Sequence, residues 1–341
     1  MTGQGMKHVY LDILKEADEA YFLKGVFGFK VSELLKEIGY HYVKNGYDIE
    51  FFYEPLFETT VQATFVKGLN KLFLRASNPS IEPTQLGTRD RVISFYECLD
   101  DEKIKEHGQR MKELAEEVSD WHDKCFESLH SAIKIHDEWE AVTQSKMDWK
   151  ALDVQREEFI DRVFNGMLLN KRGRLTHRLL GTLTPNGASD YLQNITRNLE
   201  KRIFIKGLPG TGKSSIMKKL KNEALERGFD VQMVWCGLDS TSIDMVIIPE
   251  LKFCIFDSTP PHEYFPDPSR PGDEIFDIVK HCHVTDVEEE KIKEISRRYR
   301  VAINNAKNYS TLYADAEREF RNIIDHSTSL SKWKSITAKI F

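Results

Sequence analysis

Apolar and polar positions change period several times along this chain, and they do so twice in the same order. Residues 21–24 and 202–206 are short β-rich runs. Each is followed by a Gly-rich turn and then by apolar residues at helical spacing: Leu34, Leu35 and Ile38 in the first case, Ile216, Met217 and Leu220 in the second. Gly46 and Gly228 stop those helices. Two more β-rich runs complete each set, 49–53 with 71–74 and 231–236 with 253–256. Strands alternating with helices predict an α/β fold: a parallel sheet with helices on both faces. Behind each core lies a polar, proline-free stretch, 100–163 and 286–326, with apolar residues at three- and four-residue steps such as Met111, Leu114, Val118, Trp121 and Cys125. These predict a helical hairpin appended to each core, as cover for the sheet or as a surface for a protein partner.

The recurrence is a sequence repeat. A shift of 182 lays residues 19–78 over 201–260 without a gap, with about eleven identities in those sixty positions, among them Gly25/Gly207, Gly28/Gly210, Ser32/Ser214 and Gly46/Gly228. A repeat of this length is a domain duplication rather than a solenoid unit. It predicts domains at 1–165 and 166–341. The seam between them is the loop-rich stretch 166–190, with the turn signal Thr184-Pro185-Asn186-Gly187.

One segment carries specific chemistry. Gly207-Leu208-Pro209-Gly210-Thr211-Gly212-Lys213-Ser214 matches the phosphate-binding P-loop pattern in full, after a β-run and before an amphipathic helix. Glycines let the backbone curl so that amides face phosphate oxygens, and the helix N-terminus adds positive potential. The motif predicts a nucleoside triphosphate and Mg²⁺ as ligands, bound by residues 207–214 and Ser215. Lys213 would reach the β- and γ-phosphates, Ser214 would ligate the metal, and Thr211 would add a donor. A P-loop also needs a carboxylate near the metal, and Asp257, ending the run 251–256, is the candidate for that role. Ser258 follows it, where many ATP-driven motors carry a water-activating Glu.

Asp239 and Asp244 follow the second strand and are candidates for a base or a substrate ligand; a turn role is the alternative for Asp239. His262 and Glu263 are candidate γ-phosphate sensors. Arg297, Arg298 and Arg300 would be a lid over the phosphates or a solvated helix face. In the first copy the motif has decayed: Lys30 stands at the Gly212 position, Val31 at Lys213, Arg75 at Asp257 and Phe57 at Asp239. The first copy is therefore expected to be a pseudo-site.

Composition narrows the classes. The net charge is −6, which argues against a nucleic acid as partner, and the basic run Lys171-Arg172-Gly173-Arg174 reads as a solvated linker. No stretch has the ~20 apolar residues of a membrane helix, and residues 1–24 lack a signal-type apolar core. Five scattered cysteines point to a reducing, cytoplasmic setting. His281-Cys282-His283 has no second half-site at zinc spacing.

Segments 202–215, 244–250 and 256–265, with 135–140 and 177–181, make nearly the whole chain resemble an uncharacterised family of bacterial tandem P-loop ATPases. The resemblance implies two P-loop NTPase-like halves and ATP binding, with no substrate assigned. Members usually keep an intact P-loop in each half, and this chain departs from that in its first. Three functions stay open: an ATPase that uses hydrolysis to drive a conformational change, a small-molecule or nucleotide kinase, and a non-catalytic ATP sensor. Adjacency of the P-loop strand and the Asp257 strand would mark kinase- and GTPase-like folds, and one intervening strand the ATPase group. The absence of an Asn-Lys-x-Asp motif favours ATP over GTP, and segment 177–190 is a candidate for stacking adenine.

Overall fold

The computed structural model describes residues 1–77, 81–259 and 263–340. In chain order the elements are α1 Tyr10–Glu16, β1 Glu19–Lys24, α2 Lys30–Lys44, β2 Ile49–Tyr53, β3 Val61–Val66, β4 Lys71–Arg75, β5 Asp90–Ser94, α3 Asp101–Glu106, α4 Gly108–Gln144 and α5 Trp149–Phe164. There follow β6 Leu175–Leu179, β7 Gly181–Thr184, β8 Gly187–Asp190, α6 Leu192–Ile195, β9 Lys201–Lys206, α7 Lys213–Glu226, β10 Val231–Trp235, β11 Ile243–Ile248, β12 Phe253–Asp257, β13 Asp273–Asp277, α8 Asp286–His326 and α9 Leu330–Thr337.

The chain is α/β, and it forms two units. The larger takes Met1–Lys7 and Cys125–Lys307, the smaller His8–Lys124 and Asn308–Phe341. This differs from a division at 165/166. The reason is the two long helices: α4 begins in the smaller unit and ends in the larger, and α8 does the reverse. Each half of the chain thus supplies one long helix and a short one after it, where a hairpin was expected.

In the larger unit the sheet order is β13-β9-β12-β11-β10-β6. β9 runs parallel to both β12 and β13, while β11 is antiparallel to β10 and to β12. The expectation of an all-parallel sheet is corrected to a mixed one. A short reversal at Pro249–Leu251, with Lys252 left-handed at φ 45°, turns β11 directly into β12, so no crossover helix separates them. β11 is buried along its whole length, hence its unbroken apolar run Met-Val-Ile-Ile. One face of the sheet packs on α7 and α5 through Ile216, Met217, Leu220, Phe159 and Phe164. The other is covered by the segment that carries Leu180, Leu192, Ile195 and Leu199, with Phe204 and Phe256 beneath it. That cover is a β-hairpin and a four-residue helix, not a second layer of long helices.

The stretch expected to be a loop-rich seam therefore holds three strands. β6 pairs parallel with β10, and β7 pairs with β8 around the turn at 184–187, where Gly187 takes φ 116°. The basic run before β6 is solvent-exposed at Lys171, Arg172 and Arg174, and it is also ion-paired: Lys171 with Asp230 and Glu250, and Arg174 with Asp230.

In the smaller unit the order is β2-β3-β4-β1-β5, again with β3 antiparallel to its neighbours and β1 parallel to β4 and β5. Leu23, Leu34, Leu35, Ile38 and Phe73 form its core under α2, and Trp333 and Ile336 of α9 close it. Under the shift of 182 the five strands β1 to β5 fall on β9 to β13, and the two sheets have those strands in the same order and directions.

Candidate functional site

β9 is buried through Arg202–Ile205 and ends at Gly207. A Cβ on Gly207 would come within 2.6 Å of Ile278 Cγ1 and Thr211 Oγ1, so the strand leaves the sheet here only with glycine. Gly210 and Gly212 take φ 78° and 93°, the left-handed region that costs other residues about 1–2 kcal/mol. These two turns curl the loop and deliver the chain to α7, with Gly212 as its N-cap. The first amides of a helix have no carbonyl partner within it, so the N–H groups of Lys213, Ser214 and Ser215 add donors at this end. Thr211 is fully buried and spends its hydroxyl inside the loop, on Leu208 O at 2.6 Å. It shapes the loop rather than offering a donor outward.

Lys213 is 8% exposed. Its ammonium donates to Gly207 O at 2.8 Å and Leu208 O at 2.9 Å, and lies 3.4 Å from Asp257 Oδ2. Asp257 comes to this point because β12 lies directly beside β9, with Asp257 in register with Ile205. The other oxygen of Asp257 accepts from the N–H and hydroxyl of Thr259 at 3.1 and 2.6 Å, which fixes the carboxylate. Ser214 Oγ lies 3.1 Å from Ser242 Oγ and 3.5 Å from Ile243 O. Ser242 was not among the sequence candidates. Its signal is position, directly before a buried strand that neighbours β12.

The donor set suits the expected ligands. Two serine hydroxyls and a carboxylate are hard oxygen ligands of the kind Mg²⁺ takes. The curled backbone, helix N-terminus and Lys213 suit phosphate oxygens.

Other candidates fall elsewhere. Asp239 Oδ1 accepts from Thr241 N–H at 2.9 Å and Thr241 Oγ1 at 2.8 Å, and also from Gln4 Nε2. This is its turn role. Asp244 lies on β11, only 8% exposed. Burial, and then the Asp244 charge, push the Cys236 thiol well up, so Cys236 stays a protonated, unreactive thiol. Glu263 pairs with Lys206 at 3.4 Å, and Lys206 also donates to Ser258 O and Tyr264 O at 2.8 Å, tying the loop after Asp257 to the end of β9. His262 lies outside the described residues. Arg297 pairs with Glu294, Arg298 with Glu138, and Arg300 donates to Ser296 O, which gives them the helix-face role.

His177 stacks on Trp235 at the far edge of the sheet, four strand spacings or roughly 19 Å from β9. Asp190, ending the same segment, accepts the Tyr264 hydroxyl at 2.9 Å. His281 hydrogen bonds Gln155 at 2.6 Å, while the Cys282 thiol donates to Thr143 O. Among the described residues the cluster with metal-like proximity is His136, Asp137 and Glu140 on α4.

The outer side of the loop is packed against the α4–α5 corner of the same unit. The Thr143 hydroxyl donates to Pro209 O. A Cβ on Gly210 would stand 2.7 Å from Glu140 Cα and O, and one on Gly212 3.1 Å from Trp149 and Leu152. Gly210→Ala combines a left-handed backbone with a clash against main chain. It is expected to destabilise the larger unit by roughly 1–3 kcal/mol, read as a lower midpoint in urea unfolding.

Among the described residues no helix is long and apolar enough to cross a membrane. Comparison of the chain with protein-family models, with curated proteins and with solved structures finds no match.

Proposed function

We propose that residues 207–215, with Asp257, bind ATP and Mg²⁺ and that this site hydrolyses ATP, while the first half of the chain is a decayed copy that binds no nucleotide. The observation that carries the reading is the position of Lys213. Its ammonium is held at the mouth of a glycine-curled loop, between two loop carbonyls and the carboxylate of the neighbouring strand. A β- or γ-phosphate oxygen would exchange for those carbonyls as its partner. Ser214 and Asp257 would hold the metal, with Ser242 beside Ser214 as a further oxygen donor. The metal supplies charge neutralisation at the phosphates. The protein's own share is positioning: Thr259 fixes Asp257, and Lys206 holds the loop that follows it.

Duplication is supported by the common strand order at a shift of 182. Loss of the first site is supported by Val31, Lys30 and Arg75 at the lysine, glycine and carboxylate positions.

A second reading, phosphoryl transfer to a small-molecule hydroxyl, is favoured by two observations. β12 lies directly beside β9, the arrangement of kinase- and GTPase-like folds, and Ser258 stands where a motor ATPase carries its Glu. Phosphate release from ATP and Mg²⁺ alone supports hydrolysis. Silence without an acceptor, followed by transfer when small-molecule hydroxyl compounds are added, supports the second reading. Neither activity under any condition sinks both.

A further inference from the structure

The segment that the shift of 182 pairs with the 207–214 loop has taken another course. α2 begins at Lys30, after Phe29 with φ −87° and ψ −18°, and neither Gly25 nor Gly28 has positive φ. The curl is gone, but the helix start still holds an anion. Phe29 N–H donates to Asp325 Oδ2 at 2.7 Å, and Lys30 N–H to Asp325 Oδ1 at 3.4 Å. The Lys30 ammonium closes on the same residue, 2.9 Å from its main-chain oxygen and 3.8 Å from Oδ1. A Cβ on Gly28 would lie 2.3 Å from the Asp325 carboxylate, so glycine at 28 keeps the seat open. Two backbone amides at the start of a fifteen-residue helix, with a lysine over them, make the contacts a phosphate group would receive.

Asp325 belongs to α8, in the same unit as α2. Counting 182 back from Asp325 gives Thr143, an uncharged residue whose hydroxyl donates to Pro209 O of the other loop. From the long helix, then, a carboxylate reaches the loop that lost its lysine and an uncharged hydroxyl reaches the loop that kept it. We propose that the start of α2 is a phosphate-sized anion seat filled in cis by Asp325, which fastens the C-terminal end of α8 to the smaller unit and excludes phosphate from that loop. The proposal depends on this loop alone and stands whether or not residues 207–214 bind nucleotide.

The test is thermal melting of Asp325→Ala against its parent, both carrying Lys213→Ala so that the 207–214 loop contributes little. Inorganic phosphate is titrated against chloride of equal ionic strength. Asp325→Ala is expected to melt a few degrees lower, and phosphate to raise its Tm saturably, with a clearly smaller rise in the parent. Equal phosphate effects on both proteins, or an unchanged Tm in Asp325→Ala, would overturn the proposal. If the alanine variant does not fold, hydrogen exchange of the Phe29 and Lys30 amides in the wild type decides. Protection unaffected by phosphate is expected; protection that rises with phosphate means that the seat is not filled by Asp325.

Discussion

Replacing Lys213 by alanine is expected to lower ATP turnover by about 10²–10³-fold, the usual cost of one preorganised donor aimed at developing charge. The ammonium is already fixed by Gly207 O, Leu208 O and Asp257, so little ordering remains to be done when a phosphate takes over from the carbonyls. Lys213→Arg is not a conservative rescue. At 8% exposure the ammonium donates to two loop carbonyls as a compact point charge, a geometry that a planar guanidinium does not reproduce. Phosphate-release kinetics, with Tm as the control for folding, measure the effect. Wild-type turnover in Lys213→Ala would remove the lysine from the reaction.

Asp273→Ala is expected to destabilise the larger unit by about 3–5 kcal/mol, because it strands a buried guanidinium. Arg202 on β9 and Asp273 on β13 lie in register. Their side chains, 3% and 1% exposed, meet as a fork, Nε to Oδ1 at 2.8 Å and Nη2 to Oδ2 at 2.5 Å. The pair fastens the outer strand to the strand that leads into the glycine loop. Burial pushes the Asp273 carboxyl up. The Arg202 hydrogen bonds, the Asp267 N–H and the charges of Arg202 and Arg270 outweigh it and hold the group below the usual carboxylate range. A depressed folded-state pKa means that the pair's contribution is fully present above the unfolded value near ~3.9 and is lost as pH falls through the lower folded value. Urea unfolding of variant and wild type should therefore differ most at neutral pH, and the gap should narrow only in strong acid. A gap that narrows between pH 7 and 5 would contradict this.

The parts of the molecule that were legible in the sequence are those set by local pattern. The apolar runs at 202–206 and 253–256 and the helical spacing of Ile216, Met217 and Leu220 each match an element of the structure. The glycines of 207–212 announced a curled loop, which the structure makes with left-handed Gly210 and Gly212. What was not legible depends on direction and partner. Nothing in Met245–Ile248 says that the strand is antiparallel, because a doubly buried strand reads as a plain apolar run in either direction. Leu175–Leu179 follows a basic run and a glycine, and becomes a strand only by pairing with β10. The long helices reveal their length through missing prolines, but which unit each end joins is a tertiary fact. At the candidate site, Lys213, Ser214 and Asp257 were named by motif and spacing. Ser242 and Asp325 were not, since each is brought to its loop by folding over 28 and 295 positions respectively.

The most direct test is calorimetric titration of the wild-type chain with a non-hydrolysable ATP analogue, with and without Mg²⁺. One magnesium-dependent site per chain, lost in Lys213→Ala, is the predicted result. Two magnesium-dependent sites, or binding that survives in Lys213→Ala, would contradict the assignment of a single nucleotide site to residues 207–214.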